Sequence, residues 1–93
     1  MRAQRGALVS TTPIAITYVW HNGIRYYVST IDRESSSPLA PDHVYAETMA
    51  WEIDRKTGTL VRIIAQDSGP QGSIRAHLAM VERVARFGSG EVL

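Results

Sequence analysis

Three histidines, one serine-rich stretch and two tryptophans with arginines nearby in the sequence are the residues of this 93-residue chain that chemistry would draw on. His21, His43 and His77 share no metal-ligand spacing, and neither HExxH nor His-x-His occurs. Asp42 and His43 with Glu47 form the one acid and imidazole cluster, and chance proximity at a loop-to-strand boundary accounts for it. His77 falls within the apolar arc of a helical segment, where a hydrogen-bonded core or rim histidine is expected rather than a general base without a placed partner. Ser35, Ser36 and Ser37 follow Arg33 and Glu34, a combination that would suit an oxyanion, but no G-x-S-x-G elbow is present and a solvated loop explains the run. Gly69-Pro70-Gln71-Gly72-Ser73 leads into a helix without matching a phosphate-binding loop, so a helix cap suffices. With no cysteine, thiolate metal sites, cysteine nucleophiles and disulfides are excluded. The expectation is a protein that is not an enzyme, with no catalytic, metal or cofactor site.

The aromatic and arginine residues depend on the elements that carry them. Two β-rich runs, residues 14–21 and 24–31, flank Asn22-Gly23, the strongest short hairpin signal, and a type I′ turn there sets Trp20 opposite Arg25 and Tyr18 opposite Tyr27. Residues 32–42, with three Ser and two Pro, read as the longest internal loop. A second hairpin joins residues 44–53 to 60–66. Direct pairing across it sets Ile53 opposite Leu60, Trp51 opposite Arg62 and Ala50 opposite Ile63, with a bulge at Gly58 able to slip this by one. Residues 67–72 break the pattern. Ser73 then caps a helix that runs to Phe87 and is closed by Gly88. Ile74, Leu78, Val81 and Ala85 centre its apolar arc, flanked by His77, Met80, Val84 and Phe87. The fold expected is α+β: a four-stranded antiparallel sheet of two hairpins with a C-terminal amphipathic helix on one face.

Alternation sorts each hairpin into two faces. Thr17, Val19, Ile24, Tyr26 and Val28 join Ala46, Ala50, Val61, Ile63 and Ala65 in a small-residue face on which a helix can sit closely. The opposite face collects Ile16, Tyr18, Trp20, Arg25, Tyr27 and Ile31 with Glu47, Met49, Trp51, Ile53, Leu60, Arg62 and Ile64. One helix covers one face. Tyr18, Trp20, Arg25, Tyr27, Trp51 and Arg62 are therefore the candidate partner-binding residues, with cation–π pairs expected between Trp20 and Arg25 and between Trp51 and Arg62. This face reads as monomer core, as a self-association face or as a surface for a foreign protein, and the coverage argument favours contact over core. A twofold dimer stacking two such sheets is the simplest arrangement.

Length sets one domain over residues 14–87, with a flexible arm at 1–13 and a flexible tail at 88–93. Ten basic residues against nine acidic ones leave a net charge of +1, so nucleic acid is not the expected partner; a single-strand-binding sheet is the alternative reading and a small enzyme ranks third. No apolar run approaches a membrane span, and the N-terminus lacks a secretory pattern, so a cytoplasmic location is expected.

Tyr27-Val28-Ser29-Thr30-Ile31 with Arg33-Glu34-Ser35-Ser36, then Glu47-Thr48-Met49-Ala50-Trp51, then His77 with Met80-Val81, resembles small uncharacterised proteins of actinobacteria and their phages. The resemblance spans the central and C-terminal thirds and carries over no functional residue. It implies an accessory protein of a phage or prophage that binds a host protein, and the expected function is a self-associating protein-binding module.

Overall fold

Asn22 and Gly23 take φ of 50° and 78°, the doubly left-handed pair that a type I′ turn needs. They close β1 (Ala15–His21) onto β2 (Ile24–Glu34) with Trp20 opposite Arg25 and Tyr18 opposite Tyr27, the register expected from the turn chemistry. The computed structural model of the protein describes residues 12–34 and 44–90. The segment 1–11, the Ser35–Ser37 run with Asp42 and His43, and residues 91–93 lie outside the described residues.

β3 (Val44–Ile53) pairs with β2, and β4 (Leu60–Pro70) pairs with β3, giving an antiparallel meander in the order β1-β2-β3-β4. The helix α1 (Arg75–Phe87) packs on one face, so the chain is the expected α+β sheet with a C-terminal helix. Two elements run longer than their sequence signals. β2 continues to Glu34, opposite Val44, and β4 continues through Asp67, Ser68 and Gly69 to Pro70, opposite Tyr45. The long β3 offers ladder partners along its whole length, and that pairing overrides local turn preference. Pro70 is tolerated because β4 is an edge strand, where no neighbour needs its missing N–H.

The β3–β4 connection is held by Gly58 N donating to Asp54 O at 2.9 Å and by Lys56 N donating to Asp54 Oδ1 at 2.8 Å, with Gly58 at φ 73°. Ile53 lies opposite Leu60 as direct pairing predicts, but two bulges come next, and Trp51 lies opposite Ile63 and Ala50 opposite Ala65. Each bulge inserts one residue into β4, and each insertion inverts the faces of the residues beyond it. Between the bulges Arg62 and Ile63 exchange faces relative to the simple register, and Ile64 joins the helix-covered side.

The core forms between the helix and the small-residue face. Val19, Tyr26, Val28 and Ala50 meet Met80 and Val84, with Ile24, Ile64, Ala65 and Val81 packed around them. At about 1.5 to 3 kcal/mol for each large apolar side chain taken fully from water, this cluster supplies most of the drive for docking the helix.

The rotation of α1 differs from the expected one. His77, Met80 and Val84 are its buried residues, whereas Leu78 is 60 % exposed and Ile74 is exposed beside it. The centre of the arc is thus turned by about one residue, because His77 bonds to the sheet and fixes the phase. Ser73 contributes only a 3.3 Å contact from Arg75 N to its Oγ, and Ile74 occupies the cap position. At the other end Gly88, at φ 59°, donates to Val84 O at 2.8 Å and is buried beneath the first hairpin. It belongs to the packed domain rather than to a tail.

Candidate interaction surface

On the face away from the helix, Tyr18, Tyr27, Trp51 and Ile63 line up directly across all four strands. Parallel to this row run Ile16, Ser29, Met49 and Gln66 on one side, and Trp20, Arg25, Ile53 and Leu60 on the other. Period-two alternation on strands with a fixed register produces this arrangement. Trp20 is 65 % exposed and Tyr18 52 %, with Ile16, Leu60 and Ile63 also exposed. Tyr27, Met49 and Trp51, nearer the sheet centre, are half-buried by their neighbours.

Five of the six residues singled out from sequence, Tyr18, Trp20, Arg25, Tyr27 and Trp51, sit together on this face. The sixth does not. Arg62 lies opposite Glu52 on the helix side, donating from Nε to Glu52 Oε1 at 3.1 Å, with its second nitrogen also 3.1 Å from that oxygen. The bulge between Glu52 and Ile53 put it there, so the expected Trp51–Arg62 pair is replaced by an ion pair. The same displacement delivers Ile63 to the aromatic row, a member that alternation assigned to the opposite face.

Arg25 stacks over both rings of β1: its guanidinium carbon is 4.5 Å from the Tyr18 ring centre and 5.8 Å from that of Trp20. The nearer partner is Tyr18, where the sequence pointed to Trp20. Tyr18 and Tyr27 are 5.4 Å apart at 57°, a tilted aromatic pair. Arg33 reaches Glu47 at 3.2 Å on the same face, so its charge is matched locally. The surface is apolar and aromatic, with one stacked cation. A cavity of about 190 Å³ ends it, lined by Trp20, Arg25, Ile53, Asp54 and Arg55 among others.

No family model, curated protein or solved structure matches the chain. Its reading therefore rests on its own geometry.

The two described histidines are held structurally. His77 is 2 % exposed, with Nδ1 at 3.0 Å from Thr30 Oγ1 and Nε2 at 2.9 Å from Thr17 Oγ1; Thr30 in turn bonds Thr48. Loss of water around the ring lowers its pKa below the usual 6.5. This is the satisfied core histidine expected from the sequence. His21 donates from Nδ1 to Ala85 O at 3.0 Å, and its Nε2 accepts from Asn22 Nδ2 at 3.2 Å, so the bonds define the tautomer. Nothing in the sequence marked His21 as the clamp between the first hairpin and the end of α1. Glu47 lines a groove of about 880 Å³ with Tyr45, Gln66, Asp67 and Pro70, but among the described residues no three His, Asp or Glu side chains gather as metal ligands would. No described helix is long and apolar enough to cross a membrane.

Proposed function

We propose that this protein is a non-enzymatic binding module whose open sheet face docks an apolar surface of another protein. The observation that carries this reading is the Tyr18, Tyr27, Trp51, Ile63 row with Trp20 beside it, which remains uncovered by every described element. Contiguous exposed apolar patches are rare on soluble monomers, and Trp, Tyr and Arg dominate the energetics of protein contacts. The resemblance to small actinobacterial and phage proteins makes a host protein the first class of partner to test. A second copy stacked face to face is the other occupant of the same chemistry.

Single-stranded nucleic acid is the weaker reading. Bases stack on aromatic sheets, but such sheets surround the rings with basic side chains that track the phosphates. Here Arg62 is turned to the far side against Glu52 and Arg33 is paired with Glu47, which leaves Arg25 among the rings.

Both tryptophans lie on the face, so intrinsic fluorescence reports its occupancy. The test is capture of proteins from nuclease-treated host lysate by wild type and by Trp51→Glu, alongside an oligonucleotide titration followed by tryptophan emission. Capture that survives nuclease and is lost in a folded Trp51→Glu variant supports the reading. Saturable emission changes with single-stranded DNA, and capture unaffected by the substitution, would overturn it.

A further inference from the structure

The free edge of the sheet at β1 differs from the one at β4. β4 carries Arg62, Asp67, Gly69, Pro70 and two bulges, the devices by which edges are protected against further pairing. β1 reads Ala-Ile-Thr-Tyr-Val-Trp-His: seven residues with no Asp, Glu, Lys, Arg, Gly or Pro and no bulge against its neighbour. In a hairpin closed by a two-residue turn the flanking pair is hydrogen-bonded, so His21, Val19, Thr17 and Ala15 bond inward to β2. The backbone groups of Ile16, Tyr18 and Trp20 point outward, and among the described residues no strand receives them.

A second observation lies on the same side. α1 leans over β1, as the His21 to Ala85 and Thr17 to His77 bonds show, while Ala76, Ala79 and Arg83 face Gln66 and Asp67 of β4. Helical geometry then places Ile74, Leu78 and Ala85 along the β1 flank, beyond the strand. Among the described residues Leu78 is the most exposed large aliphatic one at 60 %, and Ile74 stands one turn before it at 47 %. The rotation that buries His77 leaves this apolar stripe uncovered by the described residues.

We infer that two copies of this chain join β1 to β1 about a twofold axis through Tyr18, forming a continuous eight-stranded antiparallel sheet. One symmetry operation satisfies both observations. An axis perpendicular to the sheet pairs Ile16 with Trp20 of the second copy, Tyr18 with its own equivalent and Trp20 with Ile16, so the outward N–H and C=O groups of all three residues find partners. It also keeps both helices on one face and brings the two Ile74–Leu78 stripes together over the seam. Ile16, Tyr18, Trp20, Ile74 and Leu78 keep 47 to 65 % of their surface in the single chain. The seam takes from water the outward backbone of Ile16, Tyr18 and Trp20 and the Ile74–Leu78 stripe, and leaves the open-face surface of the two rings free, an interface smaller than the roughly 800 Å² per partner of a standard one and held chiefly by backbone hydrogen bonds.

The dimer deepens the reading of the open face without consuming it. The two aromatic rows become one surface across eight strands, and the second copy supplies its Ile16 beside Trp20. Each copy then presents a site that is incomplete alone.

The chain has no cysteine, so single-cysteine variants report distances cleanly. Residues directly opposite in a hydrogen-bonded antiparallel pair have Cα atoms about 5.5 Å apart, within disulfide reach. Tyr18→Cys is expected to form a covalent dimer under mild oxidation, whereas Ile63→Cys, on β4, stays monomeric on a denaturing gel. If loss of the Tyr18 ring unfolds the chain, mixing Ile16→Cys with Trp20→Cys gives the equivalent test through a mixed disulfide. In sedimentation equilibrium the wild type should be dimeric, and Leu78→Glu should weaken the dimer at least tenfold with unchanged circular dichroism. A wild type that is monomeric at every soluble concentration, or a crosslink at Ile63→Cys as efficient as at Tyr18→Cys, overturns the edge pairing. Trp51→Glu separates the two proposals, because edge pairing predicts that it stays dimeric even where it loses its partner.

Discussion

His77 Nδ1 lies 3.0 Å from Thr30 Oγ1 on the central strand β2, and this contact fixes which side of α1 meets the sheet. Thr48 bonds Thr30 from β3 and Thr17 bonds the other ring nitrogen from β1, so one imidazole is tied to the hydroxyls of three strands. The buried polar groups are satisfied, with no described buried side-chain nitrogen or oxygen left without a partner. Breaking such a network strands hydroxyls in an apolar setting, which costs more than the bonds contribute.

The stability of the fold should depend on pH through His77. Burial depresses the His77 pKa in the folded protein below the 6.5 of the unfolded chain, so below pH 6.5 the unfolded state binds more protons. Stability from this group is full above pH 6.5 and is lost as pH falls toward the lower folded value. Urea denaturation at half-unit steps from pH 8 to pH 5 should show the decline, and His77→Gln should remove it even though that variant is less stable at every pH. An identical slope in the variant would assign the effect to other groups.

The rotation of α1 makes an opposed pair of substitutions. Met80→Ala should destabilise by about 2 to 4 kcal/mol, as expected for a long side chain taken out of a packed core. In dilute protein, where association does not contribute, Leu78→Ala should change stability by less than about 1 kcal/mol, since its side chain is largely in water. Denaturant midpoints at equal m-values give both numbers. Equal losses would mean that the helix sits in the phase centred on Leu78.

Gly88 is fixed by space as well as by conformation. A Cβ there would stand 2.7 Å from His21 Cδ2 and 2.9 Å from the Tyr26 hydroxyl oxygen, and φ is already in the left-handed region. Gly88→Ala should cost about 1 to 3 kcal/mol, seen as a lowered thermal midpoint. Gly72, with open space around its Cβ position, would suffer only the conformational penalty of its own positive φ, so Gly72→Ala should cost about 1 kcal/mol.

Arg62 and Glu52 form a rim ion pair whose arginine side chain is 61 % exposed, so water screens most of the attraction. Arg62→Ala should change stability by less than about 1 kcal/mol, and tryptophan emission should be unaltered because the guanidinium is on the opposite face from Trp51. A blue or red shift on mutation would restore the cation–π pair that direct register implied.

The sequence determined the two hairpins and the presence of the helix, because these arise from interactions between residues close along the chain, whereas the side-by-side placement of β2 and β3 came from the tertiary structure. Asn22 and Gly23 accept positive φ, and a two-residue turn leaves one register for the residues beside it, so Tyr18, Trp20, Arg25 and Tyr27 were assigned to one face from local chemistry alone. Trp51 joined them by period-two alternation on a strand with no bulge against β2. Tertiary structure decided the rest. A bulge costs little locally and leaves no clear mark in composition, yet each one inverts the faces beyond it, which is why Arg62 and Ile63 changed places. The phase of α1 was likewise undetermined by hydrophobicity, since Leu78 is more apolar than His77, but the hydroxyls of Thr17 and Thr30 on the sheet, the latter bonded in turn to Thr48, provide hydrogen bonds that the histidine ring can use and a leucine cannot.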